Sequence, residues 1–280
     1  MRFETATPAS RLLRAFFPWM KGRRPAWMIR LGLFLYDHLG GRRLLPGTAT
    51  LDLRGGPEGA PLKPEFVRAF EYSDCWVEDA RLVVLNARDA AERGAAILVR
   101  TRVIAARRST DGWEVTVRDS DTGEERTIRA RALVNAAGPW VAEVASETLG
   151  GSGAEPVRLV RGSHIVTRRL FDHGKCYFLQ GSDGRIVFAI PFESDFTLIG
   201  TTDADHPAPS VQPECSVQER QYLLDFVNRY LRRPVGPGDI VWSYAGVRPL
   251  HDAGGGAAAA TRDYLLKLDT RGVARPGSVA

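Results

Sequence analysis

His164 is the first residue whose type suggests catalysis, because it follows Gly162 and Ser163 at the start of a predicted strand. An imidazole titrates near neutral pH and can therefore remove a proton from a substrate as a general base. A single histidine is more often structural than catalytic, so these residues on their own are compatible with either role.

Arg248 and Arg262 are the second group with recognisable chemistry. They lie in residues 246–250 and 261–264, each next to a predicted strand. Because a guanidinium group binds phosphate or carboxylate in a planar, bidentate manner, two such groups at one pocket would hold an anionic substrate. Two solvated arginines in surface salt bridges explain the same residues equally well.

Two predicted strand ends carry small or polar residues that can approach a ligand closely. Ala137 and Gly138 follow an apolar strand, so that backbone there can meet a flat ligand or its phosphates. Residues 199–203 end a second strand with two hydroxyl groups, one of them on Thr201, and a carboxylate. An ordinary turn explains each segment when it is considered alone.

Several other chemistries lack the residues that they require. The three cysteines are not in Cys-x-x-Cys spacing, which argues against a disulfide framework and a zinc site and is typical of a reducing compartment. No Gly-x-Gly-x-x-Gly motif follows a strand, and neither a His-Glu-x-x-His nor a Gly-x-Ser-x-Gly motif occurs. We therefore expect no metal site.

The elements that position these residues fall into two groups. In the first, Asp79 is predicted to cap a helix that runs to Arg93 and stops at Gly94, with a strand over residues 95–99 after it. This alternation favours a parallel sheet. A three-stranded meander is predicted next, over residues 100–107, 113–117 and 127–135.

In the second group, antiparallel strands and one long helix predict an α+β unit after a linker at residues 150–153. The helix opens with a capping box, Ser216 to Glu219, and extends to about Arg232. Residues 252–260 are predicted to form a mobile surface loop. The predicted strands cover residues 157–160, 163–167, 176–180, 186–190, 196–199, 240–245 and 264–268.

The positive charge of the chain is concentrated near its N-terminal end. The net charge is +5, yet residues 1–43 carry nine basic and two acidic residues together with many large apolar ones. Such a segment, which prolines divide into predicted helical pieces, can bind an anionic membrane surface. A helical pair with arginines on its solvent-exposed face is the alternative. Because the excess charge is confined to this apolar segment, we expect no nucleic-acid partner.

The expected location follows from two features of the sequence. No apolar run reaches the ~18 residues of a membrane-spanning helix. The start has no apolar core and cleavage site of a signal peptide. We therefore expect a cytoplasmic protein, or one bound peripherally to the inner face of the cytoplasmic membrane.

Taken together and in this order, the segments resemble the FAD-dependent glycerol-3-phosphate dehydrogenase family, as a central part of it. The resemblance extends from about Ala26 to Leu268 and also includes residues 36–40, 70–75 and 79–82. It implies that sn-glycerol 3-phosphate is oxidised at its secondary alcohol to dihydroxyacetone phosphate. It further implies that flavin receives the hydride, and that quinone receives the electrons in membrane-associated members.

The resemblance also implies roles for residues of this chain. His164 is implied to be the catalytic base near the flavin. Arg248 is implied to lie beside the substrate carbinol, where a cation stabilises the negative charge that develops on oxygen. Arg262 is implied to bind the substrate phosphate, and Thr201 to contact the substrate.

FAD is the implied cofactor, and Ala137, Gly138 and Ser163 are implied to line it. Members of the family begin with a strand and a glycine-rich loop that holds the FAD pyrophosphate, and they end with a second flavin-binding stretch. Neither element is present in this sequence. We therefore expect this chain alone to bind FAD weakly or not at all and to be inactive.

The implied fold class is mixed α/β and α+β. Residues 79–149 form a partial FAD-binding, Rossmann-like domain with a β-meander, and residues 150–280 form an antiparallel-sheet domain that binds the substrate. Residues 46–78 add a strand and a loop to the substrate domain. Within residues 66–77 the pattern predicts an extended segment at residues 69–72, followed by a turn. Residues 1–45 form the basic helical segment.

Two alternatives stand beside this interpretation. Another amine or hydroxy-acid oxidase of the same flavoprotein fold would use the two arginines to bind a carboxylate. Its electrons, like those of a glycerol-phosphate oxidase, would pass to oxygen instead of quinone. A non-catalytic module, which binds glycerol phosphate or rests on a membrane surface, belongs to a different class of protein.

Overall fold

The structure is a computed structural model that describes residues 10–18, 25–38, 46–150, 156–181, 183–252 and 265–268. Its strands, in chain order, are β1 (Ser10–Pro18), β2 (Ala49–Asp52), β3 (Arg68–Val77), β4 (Thr101–Ser109), β5 (Gly112–Asp119), β6 (Glu125–Ala130), β7 (Val157–Arg168), β8 (Cys176–Gln180), β9 (Ile186–Phe192), β10 (Phe196–Gly200), β11 (Ala204–Asp205) and β12 (Ile240–His251). Its longer helices are α1 (Ala26–His38), α2 (Asp79–Glu92) and α3 (Val217–Asn228). Short helical turns cover Gly138–Trp140, Val141–Glu143, Val144–Thr148 and Pro237–Asp239.

The chain divides into two compact units. The first unit contains residues 1–95, 161–203 and 213–246, and the second contains residues 96–160, 204–212 and 247–280. Both β7 and β12 therefore begin in one unit and end in the other. The division into domains expected from the sequence stays a prediction.

A mixed sheet forms the centre of the first unit, with the strand order β7-β10-β9-β8-β1-β3-β2. Neighbouring strands are antiparallel except for β1 and β8, which are parallel. β1 pairs with β3 from Ser10 opposite Val77 to Pro18 opposite Ala69. The helical character predicted for residues 1–45 is therefore wrong for residues 10–18, because their backbone is paired between two strands. It is confirmed for α1.

Helix α3 and the sheet share the core of the first unit. Leu223, Phe226 and Val227 are spaced by three and four residues, which places them on one face of the helix. They belong to the same cluster as Ile165 and Ile199 of the sheet, and all five are at most 1% exposed. The predicted combination of antiparallel strands with one long helix is confirmed for this part of the chain.

The predicted capping box opens α3. The Ser216 hydroxyl accepts a hydrogen bond of 3.2 Å from the backbone N–H of Glu219, and Glu219 Oε2 accepts one of 3.0 Å from the backbone N–H of Ser216. The helix ends at Asn228 rather than near Arg232. It ends there because the Asn228 side chain forms two hydrogen bonds, of 2.8 and 2.9 Å, with the backbone of Val235.

The second unit contains the predicted three-stranded meander, β4-β5-β6, whose neighbouring strands are antiparallel. Val115 and Val117 of β5 are buried in its small core. The third strand ends at Ala130 and not, as predicted, at residue 135. Ala130 pairs with Trp113 and β5 begins only one residue earlier, so β5 offers almost no backbone partner beyond this point.

Helix α2 lies close to its predicted position, but two neighbouring details differ. Its N-cap is Glu78, so Asp79 lies in the first turn instead of capping the helix. The predicted stop is confirmed, since Gly94 has a φ of +94°, which residues with side chains rarely adopt. Residues 95–99 are exposed and irregular instead of forming a strand, because no described strand pairs with their backbone.

Other predicted bounds differ as well. Residues 157–160 and 163–167 belong to the single strand β7, and residues 265–268 form no strand. The parallel sheet favoured by the sequence is not found in the described part of the second unit. The predicted loop residues 253–260 and linker residues 151–153 lie outside the residues that the structure describes.

Candidate functional site

His164 lies in β7, opposite Gly200 of β10. Its half-buried imidazole stacks on the ring of Tyr244 in β12, with the ring centroids 4.9 Å apart and the planes inclined by 8°. Tyr244 stacks in turn on Trp242 at 5.1 Å. Contacts from two other strands thus fix the orientation of the predicted base.

Gly200 provides the space that the imidazole occupies. A Cβ atom at this position would lie 2.1 Å from Cδ2 and 2.7 Å from Nε2 of His164. Both distances are far shorter than a van der Waals contact, so a larger residue would displace either the ring or the strand. The glycine in the predicted segment 199–203 is therefore required by the histidine of the neighbouring strand.

We expect Gly200→Ala to lower the free energy of unfolding by about 1–3 kcal/mol, as overpacking does, and to shift the NMR resonances of the His164 ring. Urea denaturation measures the first effect and a histidine-ring spectrum the second. Gly246→Ala is the matched control, because a Cβ atom there would meet nothing within 4 Å. Equal losses in the two variants would contradict a steric role for Gly200.

The buried carboxylate of Glu219 holds the backbone on both sides of the pair formed by His164 and Gly200. Glu219 Oε1 accepts hydrogen bonds of 2.9 Å from the hydroxyls of Ser163 and Thr202. The Thr202 hydroxyl also accepts one of 2.9 Å from the backbone N–H of Ser163. These three residues are at most 9% exposed. One side chain at the start of α3 thereby ties β7 to the end of β10.

Arg161 and Ser216 complete the surroundings of this carboxylate. Arg161 Nη2 lies 3.0 Å, and the Ser216 hydroxyl 2.8 Å, from Glu219 Oε2. Burial opposes the ionisation of Glu219, but the hydrogen bonds from Ser216, Thr202 and Ser163 outweigh it and lower the pKa of the carboxyl to about 2. Glu219 is therefore an ionised, fully hydrogen-bonded group at neutral pH.

Two predicted ligand-binding residues have protein partners nearby. The Ser163 side chain, predicted to line the cofactor, is buried and donates to Glu219. The Thr201 hydroxyl, predicted to contact the substrate, donates to the backbone oxygen of Thr202 at 3.1 Å. Their roles toward a ligand stay predictions. Thr202 entered the predicted site only as the second hydroxyl of residues 199–203, and neither Tyr244 nor Glu219 was given a role in it. Glu219 was detectable through its capping-box spacing.

A cavity of about 690 Å³ lies in the second unit and is lined in part by residues 133–137. Asn135 shapes this segment, because its Nδ2 donates to the backbone oxygen of Val141 at 2.8 Å and its Oδ1 accepts from the backbone N–H of Ala137 at 3.3 Å. Gly138 follows with a φ of +55°, and a Cβ atom there would meet nothing within 4 Å. Its backbone is therefore open to close approach.

The size and lining of this cavity suit a flat organic ligand. Its volume lies within the range that is usual for small-molecule sites. Val134 is 84% and Trp140 46% exposed, so apolar surface is available to an aromatic ring. The charged residues of the lining are Arg102, Glu143 and Glu147, so a phosphate here would meet one guanidinium beside two carboxylates. The volume and the apolar surface therefore fit the aromatic part of the predicted cofactor better than its phosphates.

The two arginines of the predicted substrate site are Arg248 and Arg262. Arg248 is half-buried in β12 and belongs to the second unit. Arg262 lies outside the described residues. Their predicted convergence on one anion therefore stays a prediction.

The part of the chain that the structure describes contains neither a metal-binding cluster nor a membrane-spanning helix. No group of three or more His, Cys, Asp or Glu side chains there can hold a metal ion. No helix there is both long and apolar enough to cross a membrane.

Comparisons with known sequences give consistent results. The profile of a family described as FAD dependent oxidoreductase matches residues 8–266. A D-erythritol 1-phosphate dehydrogenase of Brucella abortus is 49% identical over 261 residues, which are 93% of this chain and 52% of that protein. A glycerol-3-phosphate dehydrogenase of Pseudomonas aeruginosa is 49% identical over 257 residues, which are 91% of this chain and 49% of that protein. The aerobic glycerol-3-phosphate dehydrogenase of Escherichia coli is 46% identical over 246 residues, which are 88% of this chain and 48% of that protein.

Solved structures resemble this chain as well. A glycerol-3-phosphate dehydrogenase from Bacillus halodurans complexed with FAD matches with a TM-score of 0.69 and 26% identity, over 87% of this chain and 45% of that one. An L-alpha-glycerophosphate oxidase from Mycoplasma pneumoniae with FAD bound matches with a TM-score of 0.63 and 18% identity, over 88% of this chain and 63% of that one. The second likeness concerns the fold alone. The chain spans about half the length of the curated relatives named above.

Proposed function

The chain belongs to the FAD-dependent oxidoreductase family, and we propose that it acts on a phosphorylated polyol, sn-glycerol 3-phosphate, which is oxidised at its secondary alcohol to dihydroxyacetone phosphate. The observation that carries this proposal is an identity of 46–49%, over 88–91% of the chain, to proteins named glycerol-3-phosphate dehydrogenase. The resemblance and the cofactor inferred from the sequence are confirmed. We propose the activity for a protein of the length of these relatives, of which this chain spans about half.

We propose that residues around Ala137 and Gly138 hold the flavin. The cavity beside Ala137 has room for an aromatic ring, and the open backbone of Gly138 permits close approach. When bound there, FAD would supply the acceptor for the hydride of the substrate carbon. The protein's contribution in this segment is to keep the cavity in shape, which Asn135 does through its two backbone hydrogen bonds.

We propose that His164 accepts the proton of the substrate hydroxyl. Its ring is held by the stacked Tyr244 and fits against Gly200, so it needs little reorganisation when the substrate binds. Glu219 supports this arrangement indirectly, because it fixes the neighbouring Ser163. The base is thereby pre-oriented by contacts that do not involve the substrate.

We propose that two arginines and a threonine act on the substrate itself. Arg248 stabilises the negative charge that develops on oxygen as the proton leaves. Arg262 binds the phosphate, since its guanidinium can grip two phosphate oxygens at once. Thr201 contacts the substrate through its hydroxyl.

D-Erythritol 1-phosphate is the second candidate substrate. It is favoured by the D-erythritol 1-phosphate dehydrogenase of Brucella abortus, which is 49% identical to this chain, as is the glycerol-3-phosphate dehydrogenase of Pseudomonas aeruginosa. Both molecules offer a phosphate and a secondary alcohol, so both suit the same base and arginines. They differ in carbon-chain length, and the choice between them depends on the space beyond the reacting alcohol.

A flavin spectrum tests both candidates. We expect a protein of the length of the relatives to purify with FAD, and its oxidised-flavin absorbance to bleach anaerobically on addition of one of the two polyol phosphates. We expect this chain alone to be colourless, because no Gly-x-Gly-x-x-Gly motif follows a strand in its sequence. Bleaching by an amino acid or a 2-hydroxy acid, but by neither phosphate, would favour the alternative oxidases. A bound flavin that none of these compounds reduces would favour a non-catalytic module.

We further propose that the protein rests peripherally on the inner face of the cytoplasmic membrane through α1, and that quinone is the final electron acceptor. Trp27, Leu31, Phe34 and Leu35 recur at helical spacing and are each 49–68% exposed. The basic residues of segment 1–43 add attraction to anionic lipids.

Oxygen is the alternative electron acceptor to quinone. An oxygen electrode distinguishes these two acceptors, because only transfer to oxygen consumes it during turnover.

We expect the chain to sediment with anionic vesicles at low salt and to be released as salt rises. Leu31→Glu, which interrupts the apolar face, is expected to weaken this binding. Val83→Glu is the matched control, because Val83 is an apolar residue of another helix, α2, and is 67% exposed against 51% for Leu31. Absence of sedimentation at low salt, or the same loss in both variants, would contradict the contact through α1.

A further inference from the structure

A second cavity, of about 390 Å³, lies in the first unit, and four arginines line it. They are Arg168, Arg169, Arg232 and Arg233, which come from two distant parts of the chain. Asp239 is the acidic residue of the lining. None of these residues belongs to the substrate or cofactor sites proposed above.

The first two arginines stand on backbone that is anchored on the sheet. Arg168 is the last residue of β7. The backbone N–H of Arg169 donates to the backbone oxygen of Asp195 at 2.9 Å, and that of Leu170 to the Thr197 hydroxyl at 3.1 Å. The direction in which these side chains leave the backbone is therefore fixed.

The other two arginines are anchored equally well. The backbone N–H of Arg232 donates to the backbone oxygen of Pro61 at 2.8 Å, next to a β-bridge between Leu62 and Leu231. On the far side of Arg233, Val235 is held by the two hydrogen bonds from Asn228 described above. The four arginines thus surround the cavity on a frame that exists before any ligand arrives.

The charges of this cavity are poorly compensated. Among the described residues, the side chains of Arg168, Arg232 and Arg233 take part in no hydrogen bond or ion pair. Arg169 pairs at 3.6 Å with Asp172, whose side chain is 93% exposed. Asp239 already accepts a hydrogen bond of 2.8 Å from the backbone N–H of Gly236. Positive charge is therefore in excess, and an anion would relieve the mutual repulsion of the guanidinium groups.

We propose that this arginine cavity binds the phosphate group of a small phosphorylated molecule. A phosphate offers three oxygens and close to two negative charges, which matches several guanidinium groups better than a singly charged carboxylate does. Leu231 and Val235, 6% and 4% exposed, line the cavity as well, so that a short carbon chain can lie against apolar surface. The cavity volume suits a compact ester.

Calorimetric titration of the 280-residue chain with inorganic pyrophosphate tests the proposal. We expect saturable binding that weakens at least about tenfold in the double variant Arg232→Gln, Arg233→Gln. The double variant Arg88→Gln, Arg93→Gln removes two exposed arginines, one in α2 and one at its C-cap, and should bind like the unchanged chain. Arg248→Gln, which alters the proposed substrate site, should also retain the binding.

Three outcomes would overturn the proposal. They are the absence of saturable binding, an equal loss in the α2 control, and a loss in Arg248→Gln alone. Far-UV circular dichroism shows whether each variant is folded. If the variant Arg232→Gln, Arg233→Gln does not fold, Arg168→Gln is used in its place. Phosphatidylglycerol vesicles identify the source of the phosphate: binding to vesicles without binding of pyrophosphate, dependent on Arg232 and Arg233, would assign the cavity to a lipid headgroup.

Discussion

Replacement of Glu219 by alanine is expected to lower the free energy of unfolding by about 3–5 kcal/mol, which is typical when one partner of a buried ion pair is removed. The substitution leaves Arg161, whose side chain is only 23% exposed, without its carboxylate. It also removes the acceptor for the buried hydroxyls of Ser163 and Thr202 and half of the capping box of α3. Each loss acts on the segment that carries His164.

Urea denaturation measures this effect, and two further variants define its origin. Glu214→Ala removes an exposed glutamate two residues before the capping box and should change stability little. Glu219→Gln keeps the size of the side chain and part of its hydrogen bonding, so it should lose less than the alanine variant. A loss in Glu219→Ala no larger than that in Glu214→Ala would show that the carboxylate does not hold β7 and β10 together.

The pH dependence of stability provides an independent check on Glu219. Its pKa is lowered in the folded chain from an ordinary value of 4.5 to about 2. A lowered folded-state pKa contributes stability that is complete above the unfolded-state value and is lost as the pH falls toward 2. Between about pH 5 and about pH 3 the unchanged chain should therefore lose more stability than Glu219→Gln, which has no carboxyl to protonate.

Glu219 also shows what the sequence could and could not predict. The spacing of Ser216 and Glu219 is local, and it correctly predicted the start of α3. The same carboxylate accepts a hydrogen bond from Ser163, which is 56 residues away in the sequence. No spacing rule contains that contact, because it depends on how the helix packs against the sheet. The space that Gly200 leaves for the His164 ring could not be predicted for the same reason, because it depends on how β7 and β10 pair.

The errors in the predicted elements have a related cause. Residues 95–99 are apolar enough for a strand, and residues 10–18 belong to a proline-divided, basic segment that favoured helix. A strand is stable only when a neighbour satisfies its backbone groups. β1 has β3 and β8 beside it, whereas residues 95–99 have no described partner strand. Local composition does not indicate which of two segments will have a partner.

Replacement of His164 by alanine tests the proposed reaction most directly, because it removes the proposed base. We expect the rate at which substrate reduces the flavin to fall by about 10²–10⁴-fold, the usual contribution of a positioned general base. The measurement is stopped-flow bleaching in the chain extended to the length of its relatives. The substrate concentration for half-maximal rate should change much less, because the arginines and not the imidazole are proposed to bind the phosphate.

His38→Ala is the control, since His38 lies exposed at the end of α1. If the imidazole is the base, Gly200→Ala should also slow bleaching, because its Cβ atom displaces the ring, and Gly246→Ala should not. If His164 only supports the fold, its removal should alter stability and leave the rate per folded, flavin-loaded molecule unchanged. The rate of flavin reduction therefore separates a base held by Gly200 and Tyr244 from a histidine that merely packs between them.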